Sequence, residues 1–499
     1  MITSPIKHIF VLCLENQSFS RLMGYSGITG TDSITGQSTK LENLSETPFS
    51  NEYQGVVYTT TPDAPSSMPF DPNHEFLDVF KQLTNGEAVY DRKTQYEGEP
   101  MVMTGFVYNY ANSKSPHTSH PKGDYQNIMR CYDTKTQLPA LYSLASEFVV
   151  LNRYFASVPG PTIPNRFFLA AATSGGLETS PSSLDILKWE IEGVTFDNGT
   201  IYDALNKKGI EWQVYAGSKH PLEGSIPVSS MLKVVPLSKW RWFNSFTDDL
   251  KNDYKPYFTM IEANYGDCIT STYKGGTSQH PCDNIEAGDE LIKIVFESIR
   301  NSPVWESSVL IVTWDEHGGM PDNVVPPRTV APGDSTSRSV YNFNFEQLGV
   351  RLPALVISPL VEKNLIDNTV YDHTSILATI ERLLDIPALT KRDANANDFL
   401  HLFTRTTPRE CPSVLPKTNY NPEEHKSLLS FPTSTATSFP LRSNVHALRF
   451  AHMKILHELG IHKEMPSTPS EFHEDLKNTI ALIDQHRSKK KHQDCCAVM

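Results

Sequence analysis

The stretch Ser307-Ser-Val-Leu-Ile-Val-Thr-Trp-Asp-Glu-His-Gly-Gly319 decides how this chain is read. Its apolar run does not alternate with polar residues, as befits a strand covered on both faces in an α/β sheet. The run stops at two adjacent acids, Asp315 and Glu316, followed by a histidine and a glycine pair. A strand holds charged side chains still, and glycines after it let the backbone turn sharply beside a ligand. Asp315 and Glu316 are therefore expected to form half of a metal site. The second half, a nucleophile and a proton donor must come from elsewhere.

A second stretch repeats the pattern. Residues 6–14 are continuously apolar and end at Glu15-Asn16-Gln17-Ser18-Phe19. Ligands in open α/β sheets gather at this carboxyl edge. Taken alone, Glu15-Asn16 reads first as a polar turn after a strand, and only the repeated pattern favours a ligand. Further strands are expected at 148–155, 211–215, 257–262 and 352–358. Helices are expected at 137–145, 164–173, 201–208, 285–300 and 376–385. This alternation predicts an α/β domain over 1–405 with a mostly parallel central sheet and helices on both faces. Residues 24–67, rich in Gly, Ser, Thr and Pro, are expected to run over the surface. Residues 406–486 are expected as a linker or wrapping segment followed by helices at 444–459 and 469–486, a mainly helical appendage.

Polar groups recur at strand ends and helix starts. His74, in Asp71-Pro-Asn-His-Glu-Phe76, falls near the start of an amphipathic run. Thr162 follows Pro159-Gly-Pro161 and precedes a helix with Pro164 in its first turn and Gly175-Gly176 beyond its end. Free N–H groups there favour a phosphate or an oxyanion; the alternative is that Thr162 only caps the helix. His280 stands in a Gly/Ser/Thr-rich loop, and His373 precedes the helix at 376–385. Carboxylates, an asparagine and a hydroxyl are oxygen donors for a hard or borderline divalent cation, with Ca, Zn, Mg and Mn all open. Such a cation would activate the Thr162 hydroxyl, and histidines would bind the phosphate or protonate a leaving alkoxide. The chemistry this assembly describes is hydrolysis of a phosphate ester through a phospho-threonine intermediate. His317 has three open readings: ligand, support behind the ligands, or strand-end residue facing away.

The motifs Glu15-Asn-Gln-Ser-Phe19, Asp71-Pro-Asn-His-Glu75, Pro161-Thr-Ile-Pro-Asn-Arg166, His280-Pro281, Asp315-Glu-His-Gly-Gly319, Tyr371-Asp-His-Thr-Ser375 and Thr390-Lys-Arg-Asp393 stand in one order over nearly 400 residues. In this the chain resembles the phosphoesterase family of bacterial and plant non-specific phospholipases C and related acid phosphatases. The resemblance implies an alkaline-phosphatase-like three-layer α/β sandwich. It implies Glu15, Asn16, Asp315 and Glu316 around the metal and Thr162 as nucleophile. It puts His74, His280 and His373 at the phosphate or leaving group, and Asn16, Asn165 and Arg166 at the substrate. The implied activity is phospholipase C cleavage of glycerophospholipids to diacylglycerol and a phosphorylated head group. A phosphomonoesterase acting on small soluble substrates and a catalytically silent lipid-binding relative are the alternatives. Two departures stand out. Gln17 and Ser20 occur where the family usually has Arg and Asp, and Asn323 follows Asp322 where it commonly has His. The missing histidine is expected to bear on leaving-group protonation or substrate preference.

The formal net charge of −13 argues against a nucleic-acid partner, which needs a basic face. The seven cysteines follow no disulfide or zinc-finger spacing, although Cys268 and Cys282 would be able to pair in a secreted protein. No signal peptide and no transmembrane run is recognised, so a cytoplasmic location is expected. Residues 487–499 hold a basic cluster followed by Cys495-Cys-Ala-Val-Met499. Cys496-Ala-Val-Met499 fits a prenylation box, and the basic residues favour anionic lipids, predicting peripheral association with a cytosolic membrane face. The sequence does not fix the oligomeric state. Cys496→Ser is expected to release the protein from membranes on fractionation; unchanged partitioning would contradict the anchor.

Overall fold

The structure is a computed structural model. It describes residues 5–113, 123–182, 185, 189, 192–217, 228–236, 239–266 and 273–425, with isolated positions 456, 461, 463, 464, 471, 474, 475, 478, 479 and 482. Ten strands form one sheet among these residues. They are β1 (His8–Leu14), β2 (Thr29–Asp32), β3 (Ser38–Lys40), β4 (Val149–Leu151), β5 (Trp212–Gly217), β6 (Trp240–Trp242), β7 (Phe258–Ala263), β8 (Ser308–Trp314), β9 (Ala354–Ile357) and β10 (Leu365–Asp367). Their spatial order is β3-β2-β10-β4-β9-β8-β1-β7-β5-β6. Only β9 and the edge strand β3 run against their neighbours, so the sheet is mostly parallel.

The continuous apolar runs are covered as their composition requires. Every residue of β8 is buried, and β1 is buried from Ile9 onward. The five longest described helices are α1 (Phe76–Leu83), α2 (Pro139–Glu147), α3 (Thr162–Ala171), α4 (Ile285–Arg300) and α5 (Thr374–Leu384). α2 packs on α4, and α3 packs on α5. α4 turns Ile285, Leu291, Ile292, Val295, Phe296 and Ile299 inward at helical spacing. Its Asp289 accepts the backbone N–H groups of Ala140 (3.1 Å) and Leu141 (2.9 Å), satisfying orphan donors in the first turn of α2. The result is the expected layered α/β arrangement.

The differences from expectation are local. The run at 148–155 divides at Asn152-Arg153. Residues 149–151 join the large sheet, and Tyr154–Phe155 pairs with Arg351–Leu352 and Tyr371–Asp372 in a small second sheet. Residues 24–67 contain two hairpins, β2–β3 and Ser50–Tyr53 with Val56–Thr59. The short strands β6 and β10 were not expected from the sequence.

Packing also continues past the expected boundary at 405. Cys411 and Leu415 join the main core, Arg409 donates to Glu147 Oε1 (2.6 Å), and the Leu415 N–H donates to Glu297 Oε1 (2.7 Å). Residues 406–419 therefore wrap the body. The helices expected at 444–459 and 469–486 fall largely outside the described residues, as do Cys268 and the tail at 487–499. Cys282 is a free thiol. No described helix is long and apolar enough to cross a membrane.

Leu310 is fully buried in β8; Leu310→Ala should cost about 2–5 kcal/mol, read as a lowered thermal midpoint. His401 Nε2 lies 2.6 Å from Asp367 Oδ2. That hydrogen bond raises the histidine pKa against the opposing effect of its burial. Burial works against the Asp367 carboxylate, but bonds from His401 and Thr369 outweigh it and hold its pKa below the usual value. The histidine's contribution is complete below its unfolded value of about 6.5 and fades as pH rises through its elevated folded value. The carboxylate's contribution is present above about 3.9 and fades as pH falls through its depressed value. Thermal midpoints measured against pH should show the alkaline loss in the natural chain and a weaker one in His401→Gln.

Candidate active site

The site begins with register. β1 and β8 are adjacent and parallel, with Leu14 opposite Trp314, so the residues after each strand emerge side by side. The ladder continues beyond the strands: the Asp315 N–H donates to Leu14 O (3.2 Å) and the Gln17 N–H to Glu316 O (3.0 Å). Asp315 Oδ1 accepts from the backbone N–H groups of Asn16 (3.2 Å) and Glu316 (2.7 Å). Gly318 and Gly319 have φ of 63° and 76°. A Cβ on Gly318 would stand 2.4 Å from Asn16 O, and one on Gly319 2.8 Å from Asn73 O. Only glycines let this loop wedge between the Asn16 turn and the segment leading to His74.

Glu15, Asn16, Asp315 and Glu316 are all buried. Glu15 Oε2, Asn16 Oδ1 and Glu316 Oε1 have no hydrogen-bond partner among the described residues. Buried polar atoms are nearly always paired, so three orphan oxygens at one sheet edge fit a hard divalent cation. Burial, then the neighbouring Asp315 charge, pushes the Glu15 carboxyl above the usual range. Burial moves Glu316 the same way, against the pull of His74. A cation would reverse both shifts. Asp315 Oδ2 accepts from Arg166 Nε (2.9 Å).

α3 starts at Thr162 and ends at Ala172, which adopts a left-handed conformation (φ 56°), rather than spanning 164–173 up to the glycine pair. Pro161 takes the cap position, so Thr162 is the first helical residue. Its hydroxyl makes no hydrogen bond among the described residues, which leaves the capping role unsupported. Arg166, four residues on, shares a helix face with Thr162. The guanidinium holds Asp315, Leu14 O (3.1 Å) and Glu262 Oε2 (3.4 Å). The start of α3 is thus pinned to the edge that carries the carboxylates. Asn165 Oδ1 accepts from the Val158 N–H (3.0 Å), and its amide donates to the carbonyls of Val158, Gly160 and Pro161. Both residues were expected at the substrate; the structure turns their polar groups onto protein, because a Pro-Gly-Pro loop supplies few bonds of its own.

The histidines divide. His74 donates from Nδ1 to Pro72 O (2.8 Å), and its Nε2 lies 3.4 Å from the Asn16 amide nitrogen and 3.7 Å from Glu316 Oε1. Burial alone would lower its pKa, but Glu316 and Asp71 outweigh it and lift it to about 9. His280 Nε2 lies 3.7 Å from Asp71 Oδ1, and burial, then the His74 charge, keeps this imidazole neutral. His373 has no free nitrogen. Nε2 donates to Trp314 O (3.0 Å), and Nδ1 accepts from the Ser157 N–H (3.4 Å). Its expected contact with phosphate is replaced by a tie between β8 and the approach to Thr162. His317 is a support: its Nε2 donates to Gln82 Oε1 (2.7 Å), and Gln82 in turn donates to Asn73 O (2.7 Å), beside His74.

Several residues went unrecognised in the sequence. Glu262 ends β7 beside β1 and accepts from Arg166, Ser229 and Tyr265. An acid after a third apolar run was the available signal. Arg392, in Thr390-Lys-Arg-Asp393, donates to Asp372 Oδ2 (3.0 Å) and Ser157 O (3.1 Å), which fixes the His373 turn. Ser20 and Asn323, one residue from each departure, meet in one partly buried network. Arg351 bonds Asp322 (3.1 Å) and Glu42 (2.9 Å), Asp322 accepts from Ser20, and Asn323 donates to Glu42. Asn323 thus serves this ion network, at the position where the family commonly has a histidine.

The model of the phosphoesterase family matches residues 6–387. Non-specific phospholipase C6 of Arabidopsis thaliana is 31% identical over 435 residues, 83% of this chain and 75% of the relative. Phospholipase C B of Mycobacterium tuberculosis is 27% identical over 450 residues, 81% of this chain and 79% of the relative. Among solved structures, a protein in the alkaline phosphatase superfamily from Vibrio parahaemolyticus superposes with a TM-score of 0.30 at 12% identity, covering 65% of this chain and 81% of that one. A family model that spans most of the chain, together with relatives of about this identity over four fifths of it, shows that the chain belongs to the phosphoesterase family and is a phosphoric ester hydrolase.

Proposed function

We propose that this chain is a phospholipase C that cleaves glycerophospholipids to diacylglycerol and a phosphorylated head group, with Thr162 as nucleophile. The observation that carries the reading is the hydroxyl of Thr162. It opens α3 without a hydrogen bond among the described residues, on the helix face that Arg166 pins to the carboxylate edge. The names of the relatives in Arabidopsis and Mycobacterium support the substrate class.

Glu15, Asn16 and Glu316, with Asp315, would hold the divalent cation. When bound, it supplies charge neutralisation at the phosphoryl oxygens and eases deprotonation of a nearby hydroxyl. Thr162 Oγ gives up its proton to solvent, from which His74 is recharged before the next turnover, and bonds to phosphorus as the bond from phosphorus to the diacylglycerol oxygen breaks. That oxygen takes a proton from His74, while the neutral His280 donates a hydrogen bond to the phosphoryl group. Water then attacks phosphorus, the bond to Thr162 Oγ breaks, and the phosphorylated head group leaves as the threonine recovers its proton. Asn165, Arg166 and His373 act as positioning residues. They fix the approach loop, the helix start and the strand end to one another, which holds the nucleophile in reach of the reacting bond. Peripheral membrane contact through the basic, cysteine-bearing tail would bring the site to its substrate.

Metal-supplemented enzyme should release diacylglycerol from phosphatidylcholine vesicles faster than it hydrolyses a soluble monoester. Thr162→Ala should lower turnover by roughly a thousandfold or more without changing the thermal midpoint by more than a few degrees. Preference for the monoester would overturn the substrate class, and full activity in Thr162→Ala the nucleophile.

A further inference from the structure

Gln279, the residue before His280, is fully buried and takes a left-handed backbone conformation (φ 68°). That conformation is strained for a residue with a long side chain and persists only where the surroundings enforce it. Here they do. The Gln279 carbonyl accepts from Gln17 Nε2 (2.7 Å), its Oε1 accepts from Trp314 Nε1 (2.9 Å), and its Nε2 donates to Ile285 O (3.1 Å). One residue thereby joins the turn after β1, the last residue of β8 and the start of α4. Gly288, inside α4, leaves the room for it: a Cβ there would stand 2.1 Å from Gln279 Cγ. Glycine weakens a helix interior relative to alanine, and the space gained is filled by this glutamine.

The neighbours of Gln279 meet the candidate site. Before it, Ser278 O accepts from the Glu15 N–H (2.9 Å). After it, the His280 ring stacks on Tyr273, with centroids 3.6 Å apart, and its Nδ1 accepts from the Cys282 N–H (3.4 Å). The proton of this neutral ring is therefore on Nε2, which lies 3.7 Å from Asp71 Oδ1. With the ring plane held by Tyr273, the direction of that N–H follows from the backbone turn before it. We propose that Gln279 is a positioning residue for His280: its clamped left-handed turn aims the Nε2–H of that imidazole. The effect on turnover rests on the proposed phospholipase chemistry, in which this N–H meets the phosphoryl group. Gln17, standing where the family usually has Arg, takes part by holding the carbonyl of the turn.

The test is a double-mutant cycle on the metal-supplemented full chain. The readouts are diacylglycerol release from phosphatidylcholine vesicles and heteronuclear NMR of the histidine rings, with His280 assigned by the signal lost in His280→Ala. Gln279→Gly keeps the left-handed turn without strain and removes the side-chain bonds. It should move the His280 Nε2 resonance and lower kcat by about tenfold to a hundredfold at nearly unchanged KM. In the His280→Ala background the same substitution should cost nothing further. Should circular dichroism show Gln279→Gly misfolded, Gly288→Ala probes the same turn from α4. Its added methyl should displace Gln279, move the His280 resonance and lower kcat, where helix propensity alone predicts only a more stable enzyme. An unmoved His280 resonance in the folded variants would overturn the positioning, and losses that multiply in the double variant would overturn action through His280. Full activity in His280→Ala would count against the proposed chemistry instead, and the resonance alone would then decide the positioning.

Discussion

Acidic side chains gathered at the ends of neighbouring parallel strands set the terms for the rest of this molecule. Glu15, Glu262, Asp315 and Glu316 follow or end three adjacent strands and are buried. Two like charges about 4 Å apart repel by about 4 kcal/mol at the effective dielectric of a protein surface, and by more in the interior. Such a cluster persists only with counter-charge. Arg166 supplies one share, bound between Asp315 and Glu262. A divalent cation held by the orphan oxygens of Glu15, Asn16 and Glu316, as proposed above, would supply the other share.

That need explains why the helix beginning at Thr162 sits where it does. Arg166 has to reach the acids, and through the helical repeat it carries Thr162 to the same edge. The supporting bonds serve the same end. Asn165 braces the rigid loop, His373 and Arg392 tie that loop to the end of β8, and Gln82 links His317 to the backbone before His74. A residue that looks catalytic by type can therefore be one whose polar atoms are already committed. His373 and Asn165 are such residues, while His74 turns a ring nitrogen to Glu316 and His280 turns one to Asp71.

The central strands were legible because continuous apolarity marks burial on both faces. β1, β7 and β8 were placed within a residue or two. The strands β6 and β10 were not, because three residues with Arg241 in one and Asp367 in the other carry no such run. The two hairpins within 24–67 went unread for a related reason: they are largely exposed and have no core-facing stripe. At the site, the acids and histidines were legible as motifs at strand ends. Their partners were not, since Arg166 and Asp315 are 149 positions apart and nothing local marks the pair. The Asn323 departure shows the same limit. Along the chain it suggested altered chemistry, whereas in space it joins Ser20, Glu42 and Arg351 in a structural network.

The central claim is that the open hydroxyl beginning α3 forms a bond to phosphorus. It is tested most directly by acid-quenching the enzyme at early times with excess phosphatidylcholine and analysing its peptides by mass spectrometry. The account predicts a transient adduct of the phosphorylated head group on the peptide containing Thr162, appearing together with the first diacylglycerol. Diacylglycerol formed through a full turnover with no adduct at any time, or an adduct on another residue, would contradict it.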